Sequence, residues 1–169
     1  MRLSSLFLTV VAVVLLLPAC STPINLPEGF DAEIPNGANR VDLISDRSVE
    51  DLFSDLEAWL PAKGFPIEDA NEVTRTIETG IADIGQRRTM KIKLRINPYE
   101  RGAKMEAIGS WSSDVEEATF ASASEGVSSE EIDWWPATWQ GDSGGSYAFA
   151  QLINAFYEMP ALEKNYVKQ

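Results

Sequence analysis

Two segments of the chain have apolar residues at the spacing of an amphipathic helix. In Ser48–Leu60 the apolar positions return every three or four residues and share one face. They are Val49, Leu52, Phe53, Leu56, Trp59 and Leu60. Ser48 is placed to cap the first turn, and Pro61 is expected to end the helix because the residue before proline avoids the helical region. A second helix with the same spacing is predicted from about Tyr147 to Glu158.

Between these helices, three segments predict β-strands. Arg88–Asn97 alternates strictly between an apolar and a basic face, Asn71–Thr79 is rich in β-branched residues, and Ala103–Ser112 follows a predicted turn. One apolar and one polar face are typical of an antiparallel sheet that is covered on one side. We therefore predict an α+β fold, a two-layer sandwich in which two helices cover one face of an antiparallel sheet of about three strands. The predicted order is α-β-β-β-α.

The first twenty residues have the form of a secretory signal peptide. Arg2 gives a basic start, and residues 6–17 form an apolar run that is too short to span a bilayer. Leu-Pro-Ala-Cys at 17–20 follows directly and resembles the lipobox of bacterial lipoproteins. This resemblance implies that residues 1–19 are removed and that Cys20 carries a diacylglycerol on its thiol and an acyl chain, such as palmitate, on its new amino group.

The residue after the cysteine bears on the location. Ser21 in this position resembles the Gram-negative lipoproteins that are sorted to the outer membrane, where the protein would face the periplasm. The alternatives are an ordinary signal peptide with an unrelated cysteine, or a residual membrane anchor. Residues 20–40 are predicted to be the lipidated cysteine and a flexible tether spanning about 25 Å. Residues 41–169 are predicted to form a single globular α+β domain.

Composition limits the partners and the chemistry. Removing residues 1–19 changes the formal net charge from −12 to −13, because Arg2 is the only charge lost. This charge argues against nucleic acid and against anionic lipid headgroups as main partners. Cys20 is the only cysteine and the chain has no histidine, which excludes the usual zinc and thiol sites. We predict no cofactor and no metal.

One short motif resembles the nucleophile motif of chymotrypsin-like serine proteases. It is GDSGG at Gly141–Gly145. In those proteases a histidine takes the proton of the serine, and this chain has none. No SxxK motif surrounds Ser143 to supply a serine–lysine dyad. We therefore predict that Gly144 and Gly145 allow a turn and that Ser143 or Ser146 caps the second helix.

The basic face of Arg88–Asn97 has two interpretations. Its residues are Lys91, Lys93 and Arg95, and the acidic residues on candidate neighbouring strands are Glu72, Glu78 and Glu106. The stripe could meet an anionic ligand, or it could be a solvated face of cross-strand ion pairs. Opposite charges across strands stabilise a sheet by about 0.2–1 kcal/mol each, and we favour the solvated face.

The segment before the second helix is unusual. Residues 114–133 contain seven acidic residues and no basic one, at spacings that match no calcium loop. A segment of this length between elements is usually functional or disordered. Trp134, Trp135 and Trp139 follow it, and they are candidates either for the core or for binding a partner. Because Trp134 and Trp135 are adjacent and cannot share one face of a strand, we expect one outward-facing ring.

The order of the elements resembles small envelope lipoproteins with a helix-grip-like domain, such as the C subunit of the β-barrel assembly machinery. The matching stretches are DLFSDLEAWLPAKGFPI, TRTIET, MKIKLRI and SYAFAQLINAFYEM, within about residues 48–158. The resemblance implies an architecture and brings no catalytic residue.

From these features we expect a lipid-anchored envelope protein that binds or scaffolds another envelope protein and is not an enzyme. One alternative is a carboxylate-type hydrolase of the cell wall or other glycans, with the acidic 114–133 segment near its site. Another is a carrier that holds a small ligand or lipid in a cavity between helix and sheet.

Overall fold

The computed structural model describes residues 24–100, 102–113 and 132–169, and these residues contain eight strands and two helices. The strands are β1 (Arg40–Ser45), β2 (Ile67–Asn71), β3 (Thr76–Thr79), β4 (Ala82–Gly85), β5 (Arg88–Tyr99), β6 (Gly102–Ser112), β7 (Trp135–Pro136) and β8 (Glu163–Val167). The helices are α1 (Val49–Ala62) and α2 (Ser143–Tyr157). No helix in these ranges is long and apolar enough to cross a membrane.

The eight described strands form one antiparallel sheet in the order β2-β3-β5-β6-β1-β8. β4 pairs with β5 beyond the end of β3, and β7 pairs with β6 beyond the end of β1. The predicted sandwich with about three strands is therefore wrong, because the sheet is much larger and dominates the fold. The two long strands β5 and β6 were predicted, but the short strands are stabilised by pairing with them and carry weak local patterns.

One face of the sheet carries the core. Along β5 and β6, Met90 lies opposite Trp111 and Leu94 lies opposite Ala107. The same row continues into β1, where Val41 pairs with Ala107. Both helices add their buried residues to this apolar cluster. The alternation predicted for β5 and β6 is confirmed, and the basic residues of β5 point to the other face.

The helix ends differ from the predicted ones. Ser48 caps α1 as predicted, since its Oγ accepts a hydrogen bond from the Asp51 N–H at 3.1 Å. Pro61 does not end α1 but lies inside its last turn. The conformational bias before proline is outweighed here because Leu60 is fully buried in the core.

The start of α2 was also predicted wrongly. The helix begins at Ser143, and its cap is Asp142 rather than Ser143 or Ser146. Asp142 has the extended backbone of a cap residue, and its Oδ1 accepts from the Gly145 N–H at 2.5 Å. Ser146 lies inside the helix and is buried.

The segment Asn71–Thr79, predicted as one strand, is a hairpin instead. β2 ends at Asn71 and β3 begins at Thr76, with a turn between them. Asn71 Oδ1 accepts from the Thr74 N–H at 3.0 Å, and Arg75 has a positive φ of 56°. An asparagine that folds back on its own turn is a recognised turn signal, and it competes with the β-branched residues of this segment.

Residues 24–39, which lie in the segment predicted as a tether, contact the rest of the protein. Leu26, Phe30 and Ile34 are partly buried against the core, and Ala38 is fully buried. The backbone of this segment also bonds to the C-terminal half, since the Asn39 N–H donates to the Val167 carbonyl at 3.0 Å. The segment therefore lies along α2 and β8.

Candidate functional site

Trp135 of β7 and Trp134 directly before it lie at one corner of the sheet. β7 pairs with the end of β6, which places Trp135 opposite Trp111. Their ring centroids are 5.2 Å apart with the planes tilted by 45°. Trp111 is buried, whereas Trp135 keeps 39% of its surface exposed. We call Trp111, Trp134 and Trp135 the tryptophan corner.

The start of α2 supports the tryptophan corner from the core side. Gly144 lies against the Trp111 ring, and a Cβ at this position would overlap that ring. The Arg88 guanidinium lies 5.8 Å from the Trp111 ring centroid and 5.3 Å from that of Tyr147. The Tyr147 hydroxyl donates to the Ile84 carbonyl at 2.7 Å, which holds its ring in place. The exposed Trp135 is thus fixed on a packed base.

Trp134 lies on the other face of the sheet. The Lys91 ammonium is 5.6 Å from its ring centroid, within cation–π range. Here an open groove of about 300 Å³ runs over the basic face of β5. It is lined by Glu68, Glu78, Thr79, Lys91, Ile92, Lys93, Ser110 and Trp134. The expectation that one of the two adjacent rings points away from the core face is met by this geometry.

The charges in the groove pair across strands. Lys91 Nζ lies 3.1 Å from Glu68, and Lys93 Nζ lies 2.5 Å from Glu78. The predicted pairing of the basic stripe with Glu78 is confirmed, and Arg95 lies directly opposite Glu106 as expected. The partner role predicted for Glu72 is wrong, because Glu72 lies in the turn between β2 and β3. Glu68 was missed because β2 was not predicted.

Trp139 has a different environment. Its ring centroid is 6.4 Å from that of Phe149, a core residue of α2. Its backbone N–H donates to the Ala38 carbonyl at 2.7 Å, and its carbonyl accepts from the Gly37 N–H at 2.9 Å. The structure therefore brings Trp134 and Trp135 to one corner and places Trp139 against the core, where it holds the chain around Ala38.

An ionic cluster on the same polar face was not predicted from the sequence. The Asp42 side chain, 5% exposed, lies between Arg40 and Lys104. Arg40 Nη2 donates to Asp42 Oδ2 at 3.1 Å, and its Nε lies 2.7 Å from Oδ1 as an ion pair outside hydrogen-bond geometry. Lys104 Nζ lies 2.8 Å from Asp42 Oδ2 and donates to Glu106 at 3.0 Å.

This cluster balances its own charges. The hydrogen bond from Lys104 to Asp42 raises the pKa of the lysine above its usual value, and the bond to Glu106 acts in the same direction. The Val41–Leu43 alternation in β1 could have indicated the strand, but the pairing with β6 is a long-range contact that the sequence does not reveal. Each of the four charged side chains in this cluster therefore has a partner of opposite charge within it.

The GDSGG motif is explained by packing and capping. Asp142 caps α2, Gly144 makes room for Trp111, and Ser143 is exposed at the first turn. Within the described ranges, no group of three or more Asp, Glu, Cys or His residues is arranged to hold a metal. Cys20 and residues 114–131 of the acidic segment lie outside the described residues, and Asp133 is exposed.

A second groove lies between α1 and the end of α2. It has a volume of about 470 Å³, opens on the surface, and is lined by Arg47, Leu52, Ser54, Asp55, Ala58, Trp59, Ala62, Met159 and Pro160. Trp59 is held there by a hydrogen bond from its Nε1 to the Ala155 carbonyl at 2.8 Å. This groove is on the outside of α1, so it differs from the cavity between helix and sheet that a carrier function would use.

Comparison with models of protein families gives no match for this chain, and neither does comparison with curated proteins. The functional argument therefore depends on the residues described above.

Proposed function

We propose that this protein is a lipid-anchored protein of the bacterial envelope, held on the membrane through Cys20, whose domain binds another envelope protein. Its role in this proposal is binding or scaffolding without catalysis. The anchor rests on the lipobox at 17–20, and Ser21 favours the outer membrane with the domain in the periplasm. The binding role rests on the tryptophan corner.

The observation that carries the binding role is the exposed, pre-positioned ring of Trp135. A large aromatic side chain is costly to leave in water, and tryptophan is enriched among the residues that dominate binding energy at interfaces. Trp135 stacks on the buried Trp111, which in turn packs on Gly144. Because this base is already packed, a partner that covers Trp135 loses little conformational entropy there.

The groove beside Trp134 supports the same role. Glu68 and Glu78 are each paired with a lysine, so the groove presents alternating charges next to an aromatic ring. Polar groups around an aromatic anchor are the usual composition of a transient protein interface. In contrast, a glycosidase uses two carboxyl groups that face its substrate, and here both are engaged by ammonium groups.

The binding role is tested by photo-crosslinking in intact envelopes. A photoreactive aromatic amino acid replaces Trp135 in one strain and Trp134 in another. Val73, which is 94% exposed in the β2–β3 turn, carries the probe in a control strain. We expect a discrete protein adduct from the tryptophan positions and none from Val73.

Two results would contradict the binding role. One is the absence of any adduct from Trp134 and Trp135 while the protein is folded and located in the envelope. The other is the same set of adducts from all three positions, which would indicate random collisions.

A second candidate function is hydrolysis of a glycan in the groove beside Trp134. The observation that favours it is the presence of Glu68 and Glu78 with an aromatic ring in one groove, since sugars stack on aromatic rings and carboxyl groups hydrolyse them. Release of glycan fragments from purified cell wall would be measured with wild type and with the Glu68→Gln, Glu78→Gln double variant. The control is a Glu57→Gln variant on the exposed side of α1. Hydrolysis would be favoured over binding if the double variant lost the activity and the Glu57→Gln variant kept it.

A further inference from the structure

The beginning of the described chain is attached to one side of the domain. Asn154 Nδ2 on α2 donates to the Asn25 carbonyl at 3.1 Å. The Tyr157 hydroxyl donates to the Glu28 carbonyl at 3.4 Å. The Phe30 ring lies 6.0 Å from Tyr157 and 5.5 Å from Tyr166, measured between ring centroids. We call residues 24–30 the docked segment.

The docked segment limits how far the domain can lie from its anchor. Only three residues lie between Cys20 and Ile24. The four steps from Cα to Cα therefore span at most about 14 Å in any conformation. A free tether of twenty residues would span about 25 Å and would let the domain turn in every direction. With residues 24–30 docked, most of that length is used along the surface of the domain.

We propose that the docked segment holds the domain with the outer side of α2 towards the lipid surface and with the polar face of the sheet, including the groove beside Trp134, away from it. This inference rests on the proposed lipid anchor at Cys20. The outer side of α2 consists of the partly exposed Gln151, Asn154 and Tyr157. The core lies between this side and the sheet, so the polar face of β5 is on the far side of the domain.

Two properties of the docked segment and the residues next to it bear on how this side of the domain meets the lipid surface. Ile24 is 39% exposed, and it places an apolar side chain where the chain leaves the domain towards the anchor. Glu28 in the docked segment, and Asp31 and Glu33 just after it, are exposed carboxylates. Anionic headgroups repel these carboxylates, so this side does not enter the acyl region, and it is the acyl chains on Cys20 that hold it near the bilayer. The occupant of this face is therefore a lipid surface held near by the acyl chains.

The orientation also explains how the groove beside Trp134 would reach a partner. If the outer side of α2 faces the bilayer, the polar face of the sheet faces the periplasm. A helix layer is about 10 Å thick and the sheet lies roughly 10 Å from it, so the two sides differ in height by on the order of 20 Å.

The test uses fluorescent labels on single engineered cysteines in the full acylated protein. Cys20 is the only cysteine, and its thiol is blocked by lipid, so a new cysteine is the one site that reacts. Gln151→Cys labels the outer side of α2, and Arg95→Cys labels the polar face of β5. Each protein is reconstituted into vesicles of phosphatidylethanolamine and phosphatidylglycerol that contain a headgroup nitroxide lipid as quencher. We expect the label at position 151 to be quenched several-fold more strongly than the label at position 95.

A variant that releases the docked segment gives the second measurement. Phe30→Ala removes the ring contacts with Tyr157 and Tyr166, and Asn154→Ala removes the hydrogen bond to Asn25. We expect the double variant to bind vesicles equally well but to lose the difference between the two labels. Circular dichroism shows whether the domain is still folded, and Asn154→Ala alone serves as a milder release if it is not.

The outcomes separate the orientation from the anchor. Intact mass and vesicle flotation show whether Cys20 is acylated and holds the protein on the membrane. An acylated, bound protein with equal quenching at both positions would overturn the orientation alone. If the labels at positions 151 and 95 were still quenched differently after the docked segment is released, another contact would set the orientation. This result would also overturn the proposal. A protein without acyl chains that does not float with vesicles would overturn the proposed anchor and the orientation together.

Discussion

At the scale of single residues, Gly144 is the most constrained position of the GDSGG motif. Its backbone lies against the ring of Trp111, so a methyl group there would overlap the ring and force either α2 or Trp111 to move. We predict that Gly144→Ala lowers the free energy of unfolding by about 1–3 kcal/mol, the usual cost of overpacking a core. Urea unfolding followed by tryptophan fluorescence measures it.

The matched control for this prediction is Gly80→Ala. A Cβ at Gly80 would have its nearest neighbour, Pro66 Cγ, at an ordinary 3.6 Å. A glycine replaced without strain changes stability by less than about 1 kcal/mol, and often in the stabilising direction. If both variants lose the same stability, the contact between Gly144 and Trp111 does not support the tryptophan corner.

Tyr166 makes the free energy of unfolding depend on pH in the alkaline range. Burial, and after it the neighbouring Tyr157, raises the pKa of Tyr166 to about 12 from an ordinary value near 10. Between these two pH values the unfolded chain ionises while the folded chain stays neutral. The stability that this hydroxyl contributes is therefore present below about pH 10 and is lost as the pH rises towards 12.

We predict that Tyr166→Phe loses less stability than wild type between about pH 9 and 12. Burial lowers the pKa of Lys164, which acts with the opposite sign, but this contribution is shared by both proteins and cancels in the comparison. Urea midpoints across this pH range provide the measurement. Parallel pH profiles for the two proteins would show that the environment of Tyr166 does not disfavour its ionised form.

At the scale of elements, the pattern of apolar and polar residues was sufficient to predict the long helices and strands. It was insufficient to predict the short strands. The bounds of α1, β5 and β6 were predicted closely because each element is long enough to repeat its apolar pattern several times. The alternation from Met90 to Ile96 in β5 is an example. β1, β4, β7 and β8 have two to six residues each and are fixed by their partners. In β8, for example, only pairing with β1 distinguishes Glu163–Val167 from a polar loop. The size of the sheet was therefore not predictable.

In the candidate site, too, local pattern predicted some features and long-range contacts decided the others. The adjacent positions of Trp134 and Trp135 were enough to predict that one ring points away from the core face. The packing of Trp139 depends on Ala38 and Phe149, which are far away in the sequence. The pairing of Lys91 with Glu68 required β2, which has no strong strand pattern. Local periodicity indicates which way a side chain points, but long-range pairing decides what it meets.

The cap of α2 provides a test at the element scale. Asp142→Ala removes the carboxylate that accepts from the Gly145 N–H, whereas Ser143→Ala changes only an exposed residue of the first turn. We predict that Asp142→Ala costs about 1 kcal/mol of unfolding free energy and that Ser143→Ala is close to neutral. Chemical denaturation of the pair compares them directly. A larger loss for Ser143→Ala than for Asp142→Ala would contradict this explanation of the motif.

At the scale of the whole molecule, the two sides of the domain have different chemistry. One side carries the core, the helices and the docked segment that leads back towards Cys20. The other side is a polar sheet face with paired charges and with Trp134 at its edge. A protein attached to a membrane by its N-terminus needs one side near the lipid and one side free. This difference is consistent with our proposal that the domain binds a partner from a lipid anchor.

The central claim is that Cys20 holds the protein on a membrane, and the most direct test is the mass of the N-terminal peptide. The peptide would be isolated from the membrane fraction of wild type and of a Cys20→Ala variant, with Ser21→Ala as a control that keeps the modified cysteine. We predict a peptide that begins at Cys20 and carries a diacylglycerol and an amide-linked acyl chain, and a Cys20→Ala protein that does not carry them. A wild-type peptide that begins elsewhere, or that has a free Cys20 thiol in a protein released from the membrane, would contradict the account.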